Sequence, residues 1–147
     1  MIIKTPEQAD LQYLAQNLRK SDIDEIAASS GLSAFDCLCE SVKNSAETKV
    51  VIWNGKPLFI YGVARLGNDG CVWLIGTDAI IDCPFAFVKI CRSILAQLKQ
   101  RYGRLYNFAY AKNKKALKWL NALGATIDSR TVKRGPKNDE FKFFVFK

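Results

Sequence analysis

Leu105 to Ala125 reads LYNFAYAKNKKALKWLNALGA, and its residues divide it into a strand, a junction and a helix. Leu105–Ala111 is aromatic and apolar, the composition that suits a pleated, half-buried strand. Lys112-Asn113 interrupts it with two polar residues. Beyond them the apolar period changes: Ala116, Leu117, Leu120 and Leu123 recur at helical spacing and make one stripe. Lys114, Lys118 and Asn121 fall on the opposite face. Asn113 is placed to cap this helix, because its side-chain oxygen can accept a backbone N–H of the first turn. Gly124 can adopt the left-handed conformation in which such a helix ends. The stretch predicts a strand that feeds a short amphipathic helix through an asparagine.

Composition bounds the rest. At 147 residues, 49% hydrophobic and 24% charged, the chain is expected to form one domain, 1–147, around one core. No run approaches the eighteen or so apolar residues of a membrane span, so none is expected. The opening MIIKTPEQAD lacks the apolar region and cleavage site of a signal peptide, which leads us to expect a cytoplasmic protein. Cys37, Cys39, Cys71, Cys83 and Cys91 are odd in number and contain no C-x-x-C pair; with no histidine, a metal site is not expected. Reduced, largely buried thiols are the favoured reading. The net charge of +8 suggests an anionic partner: nucleic acid, a phosphorylated cofactor or an acidic protein surface. Its basic residues gather late, at Lys112, Lys114, Lys115, Lys118, Arg130, Lys133, Arg134 and Lys137. A solvated lysine face explains them equally well, and nucleic-acid binding has no motif to support it.

From the start, Met1–Lys4 reads as a short strand, and Thr5-Pro6-Glu7 as a helix start with cap, proline and acid in order. Ala9, Leu11, Leu14, Ala15 and Leu18 would face inward from that helix. A second helix, Asp22 to Ser30, places Ile23, Ile26 and Ala27 on one side; Ser33 caps a third, Ala34 to about Asn44. Val50–Trp53 and Pro57–Arg65 flank Asn54-Gly55, the strongest short hairpin signal. Cys71–Ile75 is almost continuously apolar and is predicted to be a central strand. A long helix runs from Pro84 to about Arg101, and Thr126–Lys133 and Glu140–Lys147 close the chain as two strands.

This order of elements resembles the GNAT N-acyltransferase fold over nearly the whole chain. Asn113, Ala116 and Gly124 match that fold's last characteristic segment, which follows its fifth strand. The resemblance is closer to small phage-encoded GNAT-like proteins, including an internal virion protein of T7-like phages. It rests on Trp73-Leu74-Ile75-Gly76-Thr77-Asp78, on Arg101-Tyr102 before Leu105-Tyr106-Asn107, on Asn113 through Trp119 to Ala125, and on Asn17-Leu18-Arg19 with Asp22 and Glu25. The fold class implied is α+β in an α/β/α arrangement, a mixed, mostly antiparallel, twisted sheet flanked by helices. The activity implied is transfer of an acyl group from acetyl-coenzyme A to an amine. By the same resemblance Gly76, Thr77 and Asn113 would hold the cofactor, Asp78 would be the base and Tyr110 the acid. Asp22 and Glu25 would reach the cleft from the opening helices.

Two departures weigh against ordinary chemistry. The usual glycine-rich diphosphate loop lets backbone N–H groups approach the anion closely, whereas this chain has Gly76-Thr77-Asp78-Ala79-Ile80-Ile81-Asp82-Cys83-Pro84. Asp82 is expected to cap the long helix and occupy the N–H groups a phosphate would need. At ~4 Å, its like charge would cost a diphosphate on the order of one to four kcal/mol. Where many GNAT enzymes carry a tyrosine acid, this chain has Leu120. Asp78 is alternatively a turn cap, and Cys83 is a dipole-activated thiol or a structural one. Two functions stand at this point: an acetyl-coenzyme A-dependent N-acyltransferase, or a non-catalytic phage virion or host-interaction protein binding protein or DNA through its basic surface.

Overall fold

Asn54 (φ 53°) and Gly55 (φ 76°) turn the chain in left-handed conformations, as a two-residue hairpin loop requires. They join β2 (Glu47–Trp53) to β3 (Lys56–Leu66), and β4 (Asp69–Gly76) continues the meander. The computed structural model describes residues 1–147. Around this meander lie β1 (Ile2–Lys4), α1 (Gln8–Asn17), α2 (Lys20–Ser29) and α3 (Ala34–Asn44) on the N-terminal side. After β4 come a 3-10 turn (Asp78–Asp82), α4 (Pro84–Tyr102), β5 (Leu105–Tyr110), α5 (Lys114–Ala122), β6 (Thr126–Ile127), β7 (Val132–Arg134) and β8 (Asp139–Phe146).

The sheet order is β1-β2-β3-β4-β5-β8-β6, with β7 also paired to β8. All pairings are antiparallel except β4 with β5. Strand alternation divides the core into two layers. Phe59, Tyr61 and Val63 join Phe87, Cys91, Ile94 and Leu98 of α4 and Leu120 of α5 on one face. Val50, Ile60 and Ile75 meet Leu11, Leu14, Leu18, Ile26 and Leu38 of the first three helices on the other. Coverage of both faces explains why β3 is buried over a continuous run. The mixed, mostly antiparallel sheet between helices is the arrangement expected, and β4 is central.

Local chemistry corrects several boundaries. α1 starts after Glu7 rather than Thr5, because Glu7 and Asp10 cap each other reciprocally. The single strand expected over Thr126–Lys133 is two short ones. Asp128 breaks it by accepting the Arg130 N–H at 3.0 Å and the same residue's guanidinium. On α2, Ile26 and Ala28 are buried while Ile23 is 47% exposed, so the helix is rotated from the face expected. Asp22, 4% exposed, takes the inward place because it serves the end of β4.

The β7–β8 turn is docked on α2. Gly135 has φ +79°, and a Cβ there would lie 1.9 Å from the carbonyl oxygen of Ala28. Gly135→Ala should therefore lower the unfolding free energy by about 2–4 kcal/mol in urea titration. Gly55→Ala, at φ +76° with nothing within 4 Å, should lose only about 1 kcal/mol, the backbone cost alone.

Candidate functional site

β4 and β5 pair only at Gly70–Leu105 and Cys71–Tyr106. One side-chain rung extends the ladder, from Asn107 Nδ2 to the Val72 carbonyl at 2.8 Å. Beyond it the strands part, and alternation turns the free-edge peptide groups of Leu74 and Gly76 into the gap. The lips of this wedge are held by α2 and the residues before it. Asp22 Oδ2 accepts the Gly76 N–H at 2.8 Å, and the Gly76 carbonyl accepts the Arg19 N–H at 3.0 Å. On the other lip, Glu25 Oε1 accepts the Tyr110 N–H at 2.8 Å. One turn of helix thus supplies a carboxylate to each side of the opening, since residues three apart share a helix face.

The two carboxylates are held differently. Asp22 also receives Arg19 Nε at 2.9 Å, a partner that offsets its burial. Glu25 has only the Tyr110 N–H. Burial pushes its carboxyl up to about 7, the neighbouring Asp22 charge adds to this, and the Tyr110 N–H and Arg19 pull the other way. A carboxylate poised there can take and return a proton at neutral pH. Burial also pushes the Cys91 thiol up to about 12. The Cys83 thiol is raised by burial and by Asp82, opposite to dipole activation.

The residues read from the sequence are placed as follows. Tyr110 and Asn113 come together in an open groove of about 660 Å³ between α2, the start of α5 and the β7–β8 turn. Asn113 Oδ1 accepts the Ala116 N–H at 3.2 Å, so the asparagine caps α5. Gly76 lies on the wedge lip. Thr77 is 4% exposed and gives both its N–H and its hydroxyl to the Leu58 carbonyl, each at 3.0 Å. Asp78 sits in the first position of the 3-10 turn, exposed to solvent. From the sequence, Glu25 is expected only to reach the cleft. A stronger signal was present in two acids at i and i+3 beside the inward Ile26.

The expected capping of α4 by Asp82 is wrong. The cap position is Cys83, and no side chain closes the helix N-terminus. Pro84 holds its predecessor out of the helical region, so Cys83 takes φ −139°, ψ 53° and Asp82 ends the 3-10 turn instead. Its first-turn N–H groups are therefore left without a side-chain acceptor. A second donor lacks a partner: Trp119 Nε1 is buried with none, its ring stacked on Phe87 at 5.3 Å between α5 and α4. An orphaned buried donor costs about 1–3 kcal/mol. These donors and the free β4 edge at Leu74 fit the amide-bearing arm and diphosphate of coenzyme A, although Gly76 is already engaged. No group of His, Cys, Asp or Glu is arranged to hold a metal ion. No helix is long and apolar enough to cross a membrane.

By sequence, no family model and no curated protein matches the chain. Solved structures do. A ribosomal-protein-alanine N-acetyltransferase from Brucella melitensis is similar with a TM-score of 0.75 at 10% identity, covering 99% of each chain. A spermidine N-acetyltransferase variant from Vibrio cholerae gives 0.72 at 11%, covering 99% of this chain and 94% of the other. A GNAT-family acetyltransferase from Bacillus anthracis gives 0.70 at 11%, covering 98% and 92%. Likeness at such low identity carries the fold: the chain has the GNAT fold.

Glu25 makes stability depend on pH in a known direction. Its folded value, about 7, lies above the ordinary carboxyl value of 4.5. The folded state therefore holds the proton more tightly between those values, and stability falls as pH rises through them. In urea unfolding at pH 5 and pH 8, wild type should lose more stability than Glu25→Gln, which has no proton to release. Equal losses would contradict the placement of Glu25.

Proposed function

We propose that the chain is an N-acyltransferase that moves an acetyl group from acetyl-coenzyme A to an amine. The observation carrying this reading is the parted β4–β5 wedge with the Glu25 carboxyl at its lip, raised to about 7 by burial. The wedge offers an open strand edge, and the carboxyl offers a base of suitable strength. The N-acetyltransferase neighbours support the same chemistry. Acetyl-coenzyme A supplies an activated thioester when bound. The Leu74 edge, Trp119 Nε1 and the start of α4 are the groups that would hold it.

Glu25 takes the proton an ammonium must lose before its nitrogen can attack. Before that transfer, the Tyr110 N–H steadies the negative charge of the carboxylate and fixes it at the β5 end. The Tyr110 phenol, on the groove wall, is the available proton donor, filling the role that Leu120 cannot. Asp78, the base first expected from its position, is the rival to Glu25. A second reading, a scaffold without catalysis, is favoured by the engagement of both Gly76 edge groups by α2 and its preceding loop. The narrower phage kinship rests on the sequence motifs alone, and a cytoplasmic location remains part of this proposal.

With acetyl-coenzyme A and a panel of amines, mass spectrometry should detect acetylated product. The kcat/KM profile should rise with pH through a limb near 7, the value of Glu25. Glu25→Gln should remove that limb and lower kcat by about 10²–10³-fold, whereas Asp78→Asn should leave both unchanged. The reverse pattern would assign the base to Asp78, and no product from wild type would favour the scaffold.

Trp119→Phe tests the cofactor site separately. It preserves the stack on Phe87 but deletes the orphaned donor. The free protein's melting temperature should stay level or rise, and the shift produced by acetyl-coenzyme A should shrink. An undiminished shift would remove Trp119 from the cofactor site.

A further inference from the structure

The groove beside Tyr110 has a charge that the acyl-transfer reading does not require. Lys20, Lys112, Lys114, Lys115 and Lys137 line it, against Asp24 and Asp139. These lysines come from separate parts of the chain: the start of α2, the β5–α5 junction, the first turn of α5 and the β7–β8 turn. Lys20 pairs with Asp24 at 3.6 Å, and the other four lysines form no ion pair. Self-repulsion among them would normally spread such residues apart. The docking of Gly135 on Ala28 instead fixes Lys137 opposite α2.

We propose that this groove binds an acidic polypeptide segment and delivers the segment's amine to Glu25. This rests on the acyl-transfer reading and names its substrate class. The groove adjoins the reacting end of the wedge, because Tyr110 lines it and gives its N–H to Glu25. Its chemistry selects a carboxylate-rich chain over nucleic acid. Single-stranded nucleic acid is held by aromatic platforms and planar arginine forks, and this lining has one aromatic residue, Tyr110, and no arginine. Lysines present mobile point charges that suit scattered carboxylates, while the Ser21 hydroxyl and the Asn113 amide can meet a peptide backbone. With five lysines against two aspartates, the concave surface also concentrates negatively charged substrate before it docks.

Binding can be measured without cofactor, by fluorescence anisotropy of a peptide whose free N-terminal amine precedes a run of glutamates. A matched peptide with glutamines and a poly-uridine oligonucleotide serve as comparisons. The glutamate peptide should bind tightest, weaken as salt rises from about 0.05 to about 0.3 M, and lose about tenfold or more in affinity with Lys112→Glu/Lys115→Glu. Lys89→Glu/Lys99→Glu on exposed positions of α4 makes the same change in net charge and should leave binding intact. Equal binding of glutamate and glutamine peptides, tighter binding of poly-uridine, or equal loss in both double variants would overturn the proposal. Binding without acetyl transfer would uphold the groove and sink the transferase reading. Transfer to neutral or cationic amines, unaffected by the Lys112/Lys115 reversal, would do the opposite.

Discussion

Two carboxylates on one turn of α2 hold apart the strands on which the candidate site is built. Neighbouring strands ordinarily satisfy their peptide groups by pairing along their full length. β4 and β5 stop pairing after Cys71 and Tyr106, so the groups beyond must find other partners. Asp22 and Glu25 accept one N–H from each lip, and the Arg19 N–H satisfies the Gly76 carbonyl. Without Asp22, the Gly76 N–H would lose a buried partner at a cost of about 1–3 kcal/mol. The Arg19 guanidinium would lose its counter-charge as well. The same contacts set the rotation of α2, which leaves Ile23 outside and turns acids inward.

Structure and chemistry pull Glu25 in different directions. As the hydrogen-bond acceptor for Tyr110 it is best ionised, and as a partly buried group without a cation of its own it is best neutral. The compromise near 7 is what a proton acceptor at physiological pH needs. Asp22, three residues earlier, has the Arg19 guanidinium as a direct partner at 2.9 Å and holds the Gly76 N–H.

Local signals in the sequence match the structure where local chemistry decides it. Asn113 and Gly124 bound α5, Ser33 caps α3, and Asn54-Gly55 makes the hairpin, because each acts within a few residues of itself. The element order then carried the fold. Long-range partnerships were less legible. Glu25 meets Tyr110 across 85 residues and Asp22 meets Gly76 across 54; two acids three apart on α2 mark the residues, but nothing local names their partners. Asp82 reads as a cap because acids favour helix starts, but Pro84 at the first helical position makes Cys83 the cap residue. The place of Asp78 after the central strand suggests a base, but the 3-10 turn there presents it to solvent.

The most direct test of this account is the pH titration of the Tyr110 backbone amide by two-dimensional NMR. A carboxyl bonded to that N–H and titrating near 7 should move the amide signal with a midpoint near 7, and Glu25→Gln should abolish the movement. A signal that stays still from pH 5 to pH 9, or that moves near the ordinary glutamate value of about 4.3, would show that Glu25 does not hold the β5 lip in the way described.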